Sequence, residues 1–219
     1  MRIRAQLRCM ADSEIVGMIP PDVFREIKAK DSHPMFKAFV VGHEGEAKGN
    51  LVGVGNIIKR WFGDAIKKLH GKISAGIRLF HGHAETNTNE GRVPIGEIVG
   101  KKLMDVKDKL SSVVACWIYP NYRHLPLDVA SIEADVDFEQ NPEGSFIVAD
   151  VEGVTGIALG NSAVDIPGFA GATLLGEFQA FAEKHKLVTE SRPRRLLRTN
   201  NTDQLEELKL VGGIHGHHD

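Results

Sequence analysis

The sequence has little of what marks secreted, membrane-spanning or disulfide-stapled proteins. Its two cysteines, Cys9 and Cys116, cannot build a disulfide framework, which favours a reducing compartment with the cytosol as the default. Residues 1–10 alternate arginine with apolar residues and lack the continuous apolar core of a signal peptide. No stretch approaches the roughly 18 to 20 apolar residues needed to cross a bilayer. We therefore expect neither secretion nor membrane insertion.

An excess of positive charge is also missing. The formal net charge is −2, and the one dense group of arginines lies in a late polar stretch, so we expect no direct nucleic-acid binding. The chain has 219 residues, 42% of them hydrophobic and 26% charged, which is the balance of a globular domain with its own core. From about residue 188 the sequence is polar and basic. We predict a folded domain over 1–187 and a polar linker and tail over 188–219.

Runs of β-forming residues between turn residues predict a sheet. The predicted strands are 35–41, 77–83, 94–99, 112–119, 129–138 and 146–151, with a short further strand at 157–159. Their close spacing is typical of a largely antiparallel sheet or barrel. The second and third of these strands can pair across the polar loop between them.

Two segments have the apolar spacing of amphipathic helices. The first follows Asn56, a suitable N-cap, and repeats apolar residues at intervals of three and four from Ile57 to Leu69. The second runs from Leu174 to Ala182 and precedes basic residues that suit a helix C-terminus. The chain is therefore predicted to have an α+β fold, a mostly antiparallel β-barrel or sheet flanked by helices.

Two histidines, His81 and His83, end the predicted strand 77–83 and face the same side of it, because they are two residues apart. The pattern fits polar residues at the rim of a sheet. It also supplies two imidazole ligands for zinc or a similar ion, with Glu85, Asp150 or Glu152 as carboxylate ligands. The histidines of the C-terminal tail are discounted, since a flexible tail cannot hold the geometry of an open metal site.

Ser131 lies on the polar face of the predicted strand 129–138, together with Glu133 and Asp135. Serine in such a position is usually an ordinary surface residue, and the Gly-x-Ser-x-Gly elbow is absent. A serine hydroxyl becomes a nucleophile only when an imidazole within hydrogen-bond reach accepts its proton, and a third group usually orients that imidazole. Asp150 and Glu152 share a face at the end of a later strand, and either can orient a histidine.

The order of these features resembles that of the prohead maturation proteases of tailed phages, which are related to the herpesvirus assemblins. His83 at a strand end is followed by Pro94-Ile95-Gly96-Glu97-Ile98-Val99, which is similar to a Gly-containing strand of that family. Ser131-Ile132-Glu133 then resembles the serine nucleophile in its short Ser-Ile context on a strand. The stretch 154–169 is similar to the family's closing strand and proline-bearing loop, and the resemblance covers residues 35–183.

Two features depart from the family's pattern. The loop between His83 and Gly96 is longer than usual, and Ala84 follows His83 where the family commonly has an aspartate. The second departure keeps His81 open as an alternative base.

The resemblance implies a herpesvirus-protease-like fold and a serine endopeptidase that needs no cofactor. His83 would take the proton from Ser131, and Glu152 would orient the imidazole, with Asp150 as the alternative. Backbone amides or Arg123 would stabilise the oxyanion.

The resemblance also implies substrates and a location. The substrates would be scaffold proteins, major capsid proteins and the chain itself, which would associate with its own copies inside the immature phage capsid in the host cytoplasm. The tail would be an accessible linker for self-cleavage or the start of a scaffold-like segment. Two other functions stay open: a metal-dependent hydrolase using His81 and His83, and a non-catalytic capsid assembly protein that keeps the fold.

Overall fold

A computed structural model describes residues 10–51, 55–83 and 89–180. The helices within these ranges are α1 (Asp12–Val16), α2 (Pro21–Lys30) and α3 (Gly63–Lys72), with a short 3-10 helix at Pro120–Tyr122. The strands are β1 (Met35–His43), β2 (Gly45–Leu51), β3 (Gly55–Trp61), β4 (Arg78–His81), β5 (Gly96–Val106), β6 (Lys109–Ile118), β7 (Val129–Gln140), β8 (Phe146–Gly160) and β9 (Leu174–Gln179). The mixed α+β, sheet-dominated fold predicted from the sequence is confirmed. The predicted linker and tail, 188–219, lie outside the described residues.

The strands form one sheet in the order β2-β3-β8-β4-β5-β6-β1-β9, and β7 also pairs with β8. β8 runs parallel to β3 and β4, and the other pairings are antiparallel. Val129 at the start of β7 forms a bridge with Thr173, just ahead of β9. The pairings therefore run in a closed circuit from β8 through β4, β5, β6, β1 and β9 to β7. No helix in the described ranges is long and apolar enough to span a membrane.

β1 is a nearly continuous apolar run because both of its faces are covered by core residues. Phe36, Ala38 and Val40 belong to the cluster that packs with α1 and α2, whereas Phe39 and Val41 belong to the larger cluster that packs with α3. Alternate residues of a strand point to opposite faces, so a strand covered on both faces needs apolar residues at successive positions.

The helix predicted over 57–69 is wrong in its first half. Residues Ile57 and Trp61 belong to β3, and α3 begins only at Gly63. Both side chains are buried, but their spacing of four residues also fits one face of a strand, since four is a multiple of two. Pairing of β3 with β2 over seven residues settles this segment as a strand.

The helix predicted from Leu174 is also wrong, because residues 174–179 form β9. The strand pairs with β1, where Phe178 lies opposite Phe36 and Gly176 opposite Ala38. Residues 181 and 182 of the predicted helix lie outside the described residues. Tertiary pairing with β1 therefore overrides a local pattern that fits a helix.

The strands predicted at 146–151 and 157–159 are one strand of 15 residues, β8. Gly153 lies inside this strand, and the pairing with β7 shifts register there and at two neighbouring points. Because β8 is continuous, Glu152 lies far along the strand from Ala158, the residue of β8 that pairs with Ser131.

Candidate active site

Adjacent strands bring the predicted serine and histidine into one region. Ser131 of β7 lies beside β8, and β4 lies along the other edge of β8. Strands lie about 4.8 Å apart, so the end of β4 is about 10 Å from β7. Gly82 follows β4 with a φ of 70°, a conformation that favours glycine, and its N–H donates to Leu159 O at 2.9 Å. This turn places His83 next to the end of β8.

Ser131 and His83 line the same small, open pocket. The rest of the lining includes Ala158, Leu159 and Gly160 of β8 and the loop residues Asp165, Ile166 and Pro167. His81 is exposed and is not part of this lining. The geometry therefore favours His83 over His81 as the imidazole that serves Ser131.

Glu133 is the carboxylate that contacts His83. It lies two residues after Ser131 on β7 and so faces the same side of the strand. Its Oε1 lies 3.5 Å from His83 Nδ1. A partner at Nδ1 orients the ring and leaves Nε2 as the nitrogen that can accept a proton.

Arg92 is the second side chain that contacts Glu133. Its Nη1 donates to Oε1 and Oε2 of Glu133 at 2.9 and 3.0 Å, and its Nη2 donates to Gly82 O, next to His83. The guanidinium lies 4.0 Å from the ring centroid of Phe80, a cation–π contact. Arg92 therefore ties the carboxylate to the turn that carries the histidine.

These contacts set the protonation state of Glu133. Burial alone would raise its pKa, but hydrogen bonds from His83 and Arg92, together with the charge of Arg92, outweigh burial. The pKa of the Glu133 carboxyl therefore lies below its usual value. The carboxylate is charged at neutral pH and can stabilise an imidazolium at His83.

A glycine provides the space for this arrangement. Gly156 of β8 pairs with Glu133, and a Cβ at this position would lie 2.8 Å from Glu133 Oε2 and 3.0 Å from a carbon of the Phe80 ring. Any side chain at Gly156 would displace the carboxylate or the ring.

The structure does not bring Glu152 or Asp150 to the pocket. Glu152 lies six residues before Ala158, the partner of Ser131, which corresponds to about 20 Å along a strand. Asp150 forms an ion pair with Lys68 of α3 at 3.2 Å. Because β8 is one continuous strand, neither carboxylate reaches His83, and the carboxylate that contacts this histidine is Glu133.

Arg123 is also engaged away from the serine. It forms an ion pair with Asp31, which also accepts a hydrogen bond from Trp117 Nε1 at 3.0 Å. The backbone group near Ser131 is the N–H of Gly168, which donates to Ser131 Oγ at 3.3 Å. In the described part of the chain, this contact is the hydrogen bond of the Ser131 hydroxyl, and none joins it to His83.

A metal site of the kind that the two histidines suggested is not formed by the described residues. Within them, no group of three or more His, Cys, Asp or Glu side chains is placed to hold a metal ion. Glu85, one of the proposed ligands, lies outside these residues, and Asp150 and Glu152 lie along β8 away from His83.

Two residues of the site, Glu133 and Arg92, were not assigned a role from the sequence. The signal for Glu133 was present, since it shares a face of the strand with Ser131. Arg92 lies in the loop between β4 and β5, where no periodicity indicates its contacts.

Comparison of the chain with protein-family models, curated proteins and solved structures gave no match.

Proposed function

We propose that this chain is a serine endopeptidase of the prohead-maturation type, with a herpesvirus-protease-like barrel. Its substrates are scaffold proteins, extensions of capsid proteins and the chain itself, inside the immature capsid of a phage in the host cytoplasm. The observation that carries the proposal is that Ser131 and His83 line one pocket while Glu133 contacts Nδ1 of the same histidine.

The proposed reaction is acyl transfer. Ser131 Oγ attacks the carbonyl carbon of the scissile peptide bond while His83 takes the hydroxyl proton and later delivers it to the leaving amine. Glu133 stabilises the imidazolium that forms between these steps. Water then hydrolyses the acyl-enzyme, with His83 again as the base.

The negative charge on the carbonyl oxygen needs a donor close to Ser131. The Gly168 N–H, already within hydrogen-bond distance of Ser131 Oγ, is the proposed donor. It replaces Arg123, whose guanidinium is paired with Asp31. The loop between β8 and β9 would then form one wall of the pocket and part of the oxyanion site.

Mass spectrometry of the purified full chain tests the proposal. Wild-type protein is expected to yield a product shortened within 188–219, and Ser131→Ala is expected to stay intact. Ser32→Ala is the matched control, because Ser32 Oγ lies 2.8 Å from a ring nitrogen of His33 and so also forms a serine–histidine pair, but an exposed one. Equal processing of wild type and Ser131→Ala would contradict the proposal.

A non-catalytic capsid assembly protein is the second candidate function. It is favoured by one observation: Ser131 Oγ is hydrogen-bonded to Gly168 N–H rather than to His83 in the described part of the chain. Catalytic hydrogen bonds are often long in the absence of substrate, so this geometry is compatible with both functions. If Ser131→Ala and His83→Ala both fold and neither changes capsid processing, the assembly function is the better account.

A further inference from the structure

The pocket beside Ser131 has an apolar floor made of small residues. Ala158 pairs with Ser131, and Gly160 pairs with Val129, so these side chains share one face of β7 and β8. All of them line the pocket. Because alanine and glycine project little from the strand, the pocket has room above them for a side chain of a bound molecule.

The wall of the pocket is the loop that follows β8, and this loop presents apolar side chains to solvent. Ile166 lines the pocket together with Asp165 and Pro167. Ile166 and Val164 are 80% and 81% exposed, the highest values among the large hydrophobic residues of the described ranges. Single apolar side chains are common on protein surfaces, but Ile166 adjoins the pocket that holds the candidate nucleophile. It is therefore a candidate contact for a substrate.

Hydrogen bonds hold this loop in place. The carboxylate of Asp128, ahead of β7, accepts from the N–H and from the Oγ of Ser162, both at 2.6 Å. Asp165 Oδ2 accepts from Asn161 N–H at 2.8 Å, and Asn161 O accepts from Asp165 N–H at 2.8 Å. The hydrogen bond from Ser162 Oγ holds the pKa of the Asp128 carboxyl below its usual value, so this anchor is charged at neutral pH. The loop therefore presents Ile166 to a ligand with little further ordering on binding.

The same loop determines which residue of a bound peptide reaches the pocket. Ile166 and Pro167 immediately precede Gly168, whose N–H donates to Ser131 Oγ at 3.3 Å. In the proposed reaction this N–H receives the carbonyl oxygen of the scissile bond. The Cα of the residue that carries this carbonyl is bonded to the attacked carbon, so its side chain is the one placed beside Ile166.

We infer that this pocket is a specificity subsite for a branched apolar residue (valine, leucine or isoleucine) at the position whose carbonyl is attacked, with Ile166 as its wall and Asp165 excluding an acidic residue. The inference rests on the proposed function and names its substrate class. A branched side chain covers Ile166 and fills the space above Ala158 and Gly160, whereas glycine leaves both in water. Gly160 also makes room for the Asp165 carboxylate, because a Cβ there would meet Asp165 Oδ2. A second carboxylate in the pocket would be repelled by this charge.

Diphenyl phosphonate analogues of N-acetyl amino acids test the subsite on the full chain. Ser131 Oγ attacks the phosphorus, a phenoxide leaves and takes up the hydroxyl proton through His83, so each reagent holds the side chain of one amino acid beside the serine. The valine analogue is expected to label Ser131 about tenfold faster than the glycine analogue. The glutamate analogue is expected to react about fivefold slower than the glutamine analogue, because Asp165 repels its charge. Equal rates for valine and glycine would overturn the subsite, and equal rates for glutamate and glutamine would overturn the role of Asp165.

Two substitutions locate the selectivity in the loop. Ile166→Ser removes an exposed side chain, so the core is untouched, and the ratio of the valine to the glycine rate is expected to fall to near one. Ile58→Ser is the matched control, since Ile58 is 53% exposed on β3 and does not line the pocket, and it is expected to keep the wild-type ratio. Asp165→Asn is expected to make the glutamate and glutamine rates equal, and Asp137→Asn, at an exposed aspartate of β7, is its control. A wild-type ratio in Ile166→Ser would contradict the role of Ile166.

A fluorophosphonate without an amino-acid side chain separates failure of the inference from failure of the proposed function. If it labels Ser131 while the valine and glycine analogues react equally, the inference is wrong and the proposed function stands. If no reagent labels Ser131, the proposed function is wrong and the subsite falls with it. A second copy of the chain is the competing occupant of Ile166, and sedimentation that shows a dimer lost in Ile166→Ser would overturn the inference.

Discussion

Replacing Arg92 by glutamine tests the network that supports His83. Arg92 and Glu133 have side chains that are 14% and 15% exposed, so they form a largely buried ion pair with two short contacts. Glutamine keeps a polar side chain of similar reach but removes the charge, the fork of donors and the cation–π contact with Phe80. The substitution leaves the Glu133 carboxylate with His83 as its remaining partner.

The expected loss of stability follows from the burial of the pair. Removing one partner of a buried ion pair typically costs about 3 to 5 kcal/mol. Since Glu133 keeps its contact with His83 and some exposure to water, we expect the lower end, about 3 kcal/mol in the free energy of unfolding. Arg78→Gln, an exposed arginine on neighbouring β4, is the control and is expected to cost less than about 0.5 kcal/mol.

The stability cost of Arg92→Gln is expected to depend on pH. The pKa of Glu133 is lowered in the folded protein, so its stabilising contribution is present above about pH 4.3, the usual value for glutamate, and is lost as the pH falls through the lower folded value. Denaturant unfolding at about pH 7 and in acid measures this. A cost below about 0.5 kcal/mol at pH 7, or a cost that does not shrink in acid, would refute the proposed network.

Further predictions concern space and burial. Gly156→Ala is expected to cost about 1 to 3 kcal/mol by thermal unfolding and to reduce the reactivity of Ser131, because its methyl group would meet the Glu133 carboxylate, whereas Gly153→Ala, with nothing within 4 Å, is the matched control. Gly100→Ala would place a methyl group 2.1 Å from a carbonyl oxygen of the α1–α2 connection, so a loss of at least that size is expected, and wild-type stability would contradict the packing. Cys116 is fully buried and burial raises its thiol pKa, so in a Cys9→Ser chain a thiol reagent is expected to react only after unfolding, and rapid native labelling would be the contrary result.

The sequence predicts the strands better than the helices, and the reasons lie in particular residues. The strand around Phe39 is identified because β-forming residues predominate over 35–41. The segment with Ile57 and Trp61 is wrongly predicted as a helix because the spacing of these two residues fits one face of a strand as well as one face of a helix. The segment of β9 is wrongly predicted as a helix because pairing with β1 determines its structure, and the local sequence pattern does not show this pairing.

The candidate site is predicted in part for similar reasons. The strand pattern identifies Ser131 and His83 as candidates, the family resemblance alone joins them into one predicted site, and the structure brings them to one pocket. The orienting carboxylate depends on whether β8 breaks at Gly153. The strand continues through Gly153, so Glu152 lies along β8 away from the pocket, and the carboxylate that contacts His83 is Glu133 on the serine's own strand.

The most direct measurement of the central claim is fluorophosphonate labelling of the full chain, with the labelled residue located by tandem mass spectrometry. The account predicts a label on Ser131 in wild type and a rate lower by about 10²-fold or more in His83→Ala, since a positioned base contributes at least that much. His81→Ala is the matched control and is expected to label at the wild-type rate. Absence of label at Ser131, or labelling that is indifferent to His83, would contradict the account.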